Sequence, residues 1–146
     1  MNERSKKQVL GLILLLFLSG CIFNVERSQT NSIEDKFDSE QIVKKFYSYQ
    51  NAADIDQMLG MFSNEYIKQF EMQQLVVFLS ELREQLGYLK HRYIKEWKTE
   101  SGTNSSSVYF FVFENEYENG HTTETFHMRK EFPGRIRIVD YKVKRR

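Results

Sequence analysis

Residues 108–117, Val-Tyr-Phe-Phe-Val-Phe-Glu-Asn-Glu-Tyr, lead through Glu118 and the pair Asn119-Gly120 into residues 122–132, Thr-Thr-Glu-Thr-Phe-His-Met-Arg-Lys-Glu-Phe. Both runs are rich in aromatic and β-branched side chains. Asn-Gly between two such runs is the strongest short hairpin signal, and as a primed turn it demands positive φ at both positions. Working outward, Pro133-Gly134 marks a second turn before a strand from Arg135 to Lys144. On the other side, Tyr88 to Thr99 alternates like a strand and is followed by a polar loop, Glu100 to Ser106, around Gly102. The expectation is a four-stranded antiparallel meander.

The two turns fix a register. A two-residue Asn119-Gly120 loop puts Glu118 opposite His121, hence Phe113 opposite Phe126 and Phe111 opposite Met128. A two-residue Pro133-Gly134 loop puts Phe126 opposite Tyr141, Met128 opposite Val139 and His127 opposite Asp140. One face then carries Phe111, Phe113, Phe126, Met128, Val139 and Tyr141, with Tyr109, Lys130 and Arg137 in the row at its end. The other face carries Val108, Phe110, Val112, His127, Asp140, Ile136 and Ile138, interleaved with Arg129 and Glu131. A one-residue slip would destroy the apolar face. Pro-Gly suits type II turns better than the primed turns of hairpins, so this turn is where a bulge would fit.

Helical patterns precede the strands. Asp38 with Gln41 forms a capping-box-like start, followed by Ile42, Phe46 and Tyr49 on one face. Asp54 with Gln57 repeats the cap ahead of Ile55, Met58, Leu59 and Phe62. From Asn64 the pattern resumes, breaks near Glu71, and continues as the stripe Leu75, Phe78, Leu79, Leu82 and Leu86, with Gly87 as the stop. Helices first and an antiparallel meander after define an α+β domain over residues 39–146.

The N-terminus decides the address. Arg4, Lys6 and Lys7 precede a ten-residue apolar run, Val9 to Leu18, which as a helix spans about 15 Å, half of a bilayer's hydrocarbon core. A basic segment, a short apolar segment and small residues are the marks of a signal peptide. Here Leu18-Ser19-Gly20-Cys21 resembles the lipobox of bacterial lipoproteins. The resemblance implies cleavage after residue 20, a diacylglyceryl thioether on Cys21 and acylation of its new amine. Two or more acyl chains hold stably where one does not. Cys21 is the sole cysteine, so a disulfide framework is excluded. Ile22 rather than an aspartate follows it, which by analogy with Gram-negative sorting implies, for a Gram-negative source, the outer membrane facing the periplasm. Residues 21–38 read as a lipidated, polar tether. From Asn24 to Asp38 it would reach roughly 50 Å extended and about 20 Å as a coil.

Of 21 basic and 20 acidic residues, Glu3, Arg4, Lys6 and Lys7 leave with the signal, giving 18 against 19 and a mature charge of −1. Such a balance gives no reason to expect nucleic acid as a partner. The order of helices and meander is similar to the cystatin-like cone of nuclear transport factor 2-like proteins, over about Asp38 to Lys144, without a signature motif. That resemblance implies helices closing over a concave sheet face, sometimes around a pocket, with the convex face used for dimers. Members include isomerases, dehydratases, cyclases and non-catalytic domains, so fold alone does not give function.

Site chemistry is sparse. His91, His121 and His127 lack metal-ligand spacing with each other or with Cys21, and neither a phosphate loop nor a nucleophile elbow appears, so no metal and no cofactor is expected. His127 opposite Asp140 lies on the face away from the core, where a cross-strand pair contributes a few tenths of a kcal/mol. Family isomerases use acidic residues inside the cone, and no residue here matches one of theirs. No catalytic residue is therefore assigned. Ligand-facing candidates are Tyr109, Phe111, Phe113, Phe126, Met128, Lys130, Arg137 and Tyr141: an apolar body with cations for an acidic head. The reading is a membrane-anchored, non-catalytic binding or assembly module of the cell envelope, whose outer sheet face would take a second copy or a protein partner. The alternative is a small enzyme or ligand carrier using the cone interior for an apolar or anionic substrate. A carboxylate or histidine buried among Phe113, Phe126 and Tyr141 would favour the alternative. Glu124 shares that face, but its place near the sheet end points to the first.

Overall fold

The computed structural model describes residues 29–101 and 107–146. The expected signal peptide, Cys21 and the first part of the expected tether lie outside these residues. Within them the order is β1 (Gln29–Thr30), α1 (Ile33–Ala52), α2 (Ile55–Leu59), α3 (Asn64–Phe70), α4 (Met72–Leu86), β2 (Leu89–Ser101), β3 (Ser107–Tyr117), β4 (Gly120–Glu131) and β5 (Arg135–Arg145). The strands form one antiparallel sheet in chain order, curved and unclosed, with the helices on its concave side. This is the α+β arrangement expected, with two-residue β1 as an added edge piece.

The first helix starts earlier than Asp38. Ser32 is its N-cap, its hydroxyl accepting from the Asp35 N–H at 3.4 Å. Asn31 is tied to the sheet on both sides: its N–H donates to Thr99 O at 2.7 Å and its side-chain oxygen accepts from Thr99 N–H at 3.2 Å. Residues 29–38 therefore belong to the domain rather than to the expected tether. Val43, Phe46, Tyr47 and Gln50 form the buried stripe of α1, while Ile42 and Tyr49 flank it half-buried. Asp54 and Ser63 cap α2 and α3 by accepting from the N–H three residues on, at 3.2 and 3.1 Å. The break near Glu71 is real: that residue, at φ 62°, separates α3 from α4.

The β3–β4 register differs from the expected one by two residues. Phe113 lies opposite Glu124, Phe111 opposite Phe126 and Tyr109 opposite Met128. The hairpin closes on Tyr117 and Gly120 around Glu118-Asn119, neither of which has positive φ. Tertiary bonds select this turn over Asn119-Gly120. Glu118 N–H donates to Tyr88 O at 3.0 Å, Asn119 N–H donates to Leu86 O at 2.9 Å, and the Glu118 carboxylate accepts from Tyr88 N–H at 2.9 Å. The fit is close enough that a Cβ on Gly87, at φ 76°, would stand 2.5 Å from Glu118 Oε2. A shift of two conserves side-chain parity, so the inward set survives.

The β4–β5 register is as expected at Phe126–Tyr141 and His127–Asp140, then slips by one, putting Met128 opposite Ile138 and Arg129 opposite Arg137. The bulge leaves Val139 without an opposite residue, turns Ile138 into the core and Ile136 against it, and widens the turn to Phe132–Gly134. Its cause is the α2–α3 link. Ile138 N–H donates to Met61 O and Ile138 O accepts from Ser63 N–H, both at 2.9 Å, fastening the link to β5 as a short parallel bridge. Phe46 of α1 then packs edge-on against Phe62, Phe126 and Tyr141, with centroids 5.0–6.0 Å apart.

Candidate functional site

The concave face ends on a carboxylate. Glu124 alternates inward with Thr122, Phe126 and Met128 on β4, and it is 0 % exposed. Its Oε1 accepts from Tyr117 Oη and Thr122 Oγ1, both at 2.7 Å. Its Oε2 accepts from Tyr141 Oη at 2.6 Å and Tyr47 Oη at 2.9 Å. Asn115 Nδ2 donates to the Tyr47 hydroxyl at 2.9 Å. Four hydroxyl donors from three strands and α1 thus fill the roughly four lone-pair sites of one carboxylate. Tyr117 Oη also lies 3.2 Å from Gln50 Oε1, but it has one proton, and the shorter contact to Glu124 takes it. The complementary arrangement turns the Gln50 amide so that its nitrogen donates to Tyr117.

The phenols respond as buried groups beside a negative charge should. Burial, reinforced by Glu124, holds Tyr47, Tyr117 and Tyr141 well above the ordinary phenol range. Arg92 stands just outside, its guanidinium 5.0 Å from the Phe113 ring centroid and 5.5 Å from that of Tyr47, and 3.5 Å from Glu40. Beside the network Asn115 Oδ1 has no partner, and Gln50 Nε2 gains one only when its amide is turned towards Tyr117.

Of the ligand-facing candidates, Tyr109, Phe111, Phe113, Phe126, Met128 and Tyr141 are all buried and packed into one core with Leu75, Leu79 and Val43. Lys130 and Arg137 are not brought together. Lys130 stands opposite Ile136, and the bulge places Arg137 opposite Arg129, where its guanidinium donates to Gly60 O. The expected cationic row with Tyr109 does not form. On the outer face, His127 stacks edge-on against Phe110 at 4.9 Å, and Asp140 pairs with Lys142 at 2.9 Å. That face is less apolar than expected, because Ile136 and Ile138 have turned inward. A shallow groove of about 230 Å³ remains there, bordered by Val108, Phe110, His127 and Val139.

A larger groove, of about 460 Å³, lies between α1, α2 and the β4–β5 turn, with Ile42, Tyr49, Met61 and Ile136 below and Lys45 and Arg135 at its rim. Among the described residues no group of three or more His, Cys, Asp or Glu could hold a metal ion. The sequence signal for Glu124 was its place in the inward alternation of β4. What could not be read was that three tyrosines from separate elements converge on it. No family model, no curated protein and no solved structure matches the chain.

Proposed function

We propose that the chain is an envelope lipoprotein, anchored through acyl groups on Cys21, that displays a cone-like domain as a non-catalytic binding or assembly module. The observation that carries this reading is the state of the concave face. A catalytic or carrier cone needs an interior space with a polar group at its base. Here the interior is filled by aromatic side chains, and the one carboxylate at its base already accepts four hydrogen bonds. A general base must offer a lone pair to its substrate, and Glu124 has none to spare. Binding then falls to the outside of the cone, where the outer sheet face around Phe110 suits a second copy or an envelope partner.

Glu124 is also what favours the second reading, a small enzyme or ligand carrier, because a buried acid is a usual mark of a site. That reading requires the phenols to move aside for a substrate.

The anchor is tested by Cys21→Ser in cells. The unprocessed form, longer by residues 1–20, should accumulate, and the acyl mass on the N-terminal peptide should vanish. A variant still cut before position 21 and partitioning normally with membranes would refute the anchor.

A further inference from the structure

The described chain enters at Gln29, and β1 pairs Gln29 with Ser101 and Thr30 with Glu100. Across the sheet that row continues through Val108, Arg129 and Arg137. The entry point therefore shares one end of the sheet with the β4–β5 turn. The start of α1 is held at the same end, through Asn31 on Thr99 and Asp35 on the Ser101 hydroxyl.

This end carries apolar side chains that nothing among the described residues covers. Phe132, at the turn tip, is 100 % exposed; Ile33 and Phe37, one turn apart on α1, are 71 % and 62 % exposed, and Val108 is 46 % exposed. Gln41, four residues beyond Phe37, lines the groove against Gly134 and Arg135, so the α1 stripe runs towards the turn. Within three residues of Phe132 the turn carries two further cations, Lys130 and Arg135, besides Arg129, and one acid, Glu131. An aromatic tip between cations is the composition of an interfacial membrane contact.

The length of the remaining chain says what covers this end. From Cys21 to Gln29 is eight residues, at most about 28 Å fully extended and about 15 Å as a coil. We infer that the domain lies on the bilayer by this end, with Phe132, Phe37 and Ile33 entering the headgroup region and the β3–β4 turn pointing away. The inference rests on the lipid anchor for its tether. The docking itself is a property of the domain's own end.

The test uses the full chain reconstituted in vesicles of phosphatidylethanolamine and phosphatidylglycerol with brominated acyl chains. Phe132→Trp is compared with Asn119→Trp at the opposite end, and wild type supplies the Trp97 background. Bromolipid quenching should be about twofold or more stronger at position 132 than at 119, as an interfacial depth requires. Equal quenching, or a blue shift at 132 without bromolipid quenching (burial against protein rather than lipid), overturns the docking. The acyl mass on Cys21, read on the same samples, separates the two ideas. An acylated chain without differential quenching keeps the anchor and rejects the docking. Differential quenching without acylation does the reverse.

Discussion

Raising the pH through the phenol range should unfold this domain unusually steeply. Tyr47, Tyr117 and Tyr141 are held well above the ordinary range in the folded state by burial and by Glu124, whereas unfolded phenols titrate near pH ~10. Below that pH both states keep their protons and the full stability is present. Above it the unfolded chain ionises and the folded one does not, so the unfolded state binds fewer protons and stability falls as pH rises. Each such phenol contributes about 1.4 kcal/mol per pH unit, and three together about 4 kcal/mol per unit. At pH ~11 the domain should therefore be about 4 kcal/mol less stable than at pH ~8, against a typical total of about 5–15 kcal/mol. Tyr66 and Tyr109, also raised by burial, steepen the fall further.

The assay is urea unfolding by far-ultraviolet circular dichroism at stepped pH, with tyrosinate absorbance followed in parallel. Tyr47→Phe isolates one phenol from every other group that titrates in this range. Its slope should be shallower than wild type by about 1.4 kcal/mol per pH unit. If wild type and Tyr47→Phe lose stability in parallel, or if the urea midpoint is unchanged through pH ~11, the phenols are not locked as protonated donors and the account of the cluster is wrong.

Two further outcomes follow from the same core. Glu124→Leu should destabilise by about 3–5 kcal/mol in urea, because it removes the acceptor to which four buried hydroxyls donate, while Glu124→Gln, which keeps one acceptor oxygen, should cost less. A stabilised Glu124→Leu would instead mark an acid retained at the expense of the fold, and would favour the enzyme reading. The bulge predicts that Ile138→Asp, placing a charge in the core, costs more than about 4 kcal/mol, whereas Val139→Asp stays under about 1 kcal/mol; the unbulged register expects the reverse ranking, and thermal melts of the two variants decide.

Parity explains why the sheet was largely legible and where it was not. Alternation assigns each strand residue to a face, and a two-residue error in the β3–β4 turn leaves every assignment intact, so Phe111, Phe113, Phe126 and Tyr141 were correctly placed inward. The bulge shifts register by one, and there the faces of Ile138 and Val139 were exchanged. Both departures come from contacts remote in sequence: Tyr88 and Leu86 hold the Glu118-Asn119 turn, and Met61 and Ser63 hold Ile138. Turn chemistry cannot report such bonds. The α1 start was missed for a local reason. Its first turns expose Ile33 and Phe37, so they lack the polar-outside pattern by which a helix announces itself.

The departure of Ile33 and Phe37 from that pattern bears on function as well as on folding. A helix normally turns its apolar side inward, and α1 does so from Ser39 onward with Val43, Phe46 and Tyr47. Only its first two turns present large apolar side chains outward, Ile33 and Phe37, at the end of the sheet where the described chain begins. The opposite arrangement holds at the buried end of the cone, where Glu124 would be costly without four donors and is supplied with all four. The buried carboxylate has its four donors, and Phe132, Ile33, Phe37 and Val108 are exposed at one end of the sheet. Local rules are broken where something other than the fold requires it. In this chain the Glu124 carboxylate has its acceptor sites filled, whereas among the described residues the end beside Gln29 leaves Phe132, Ile33 and Phe37 uncovered. The open end, not the carboxylate, is where an external surface has something to gain by binding.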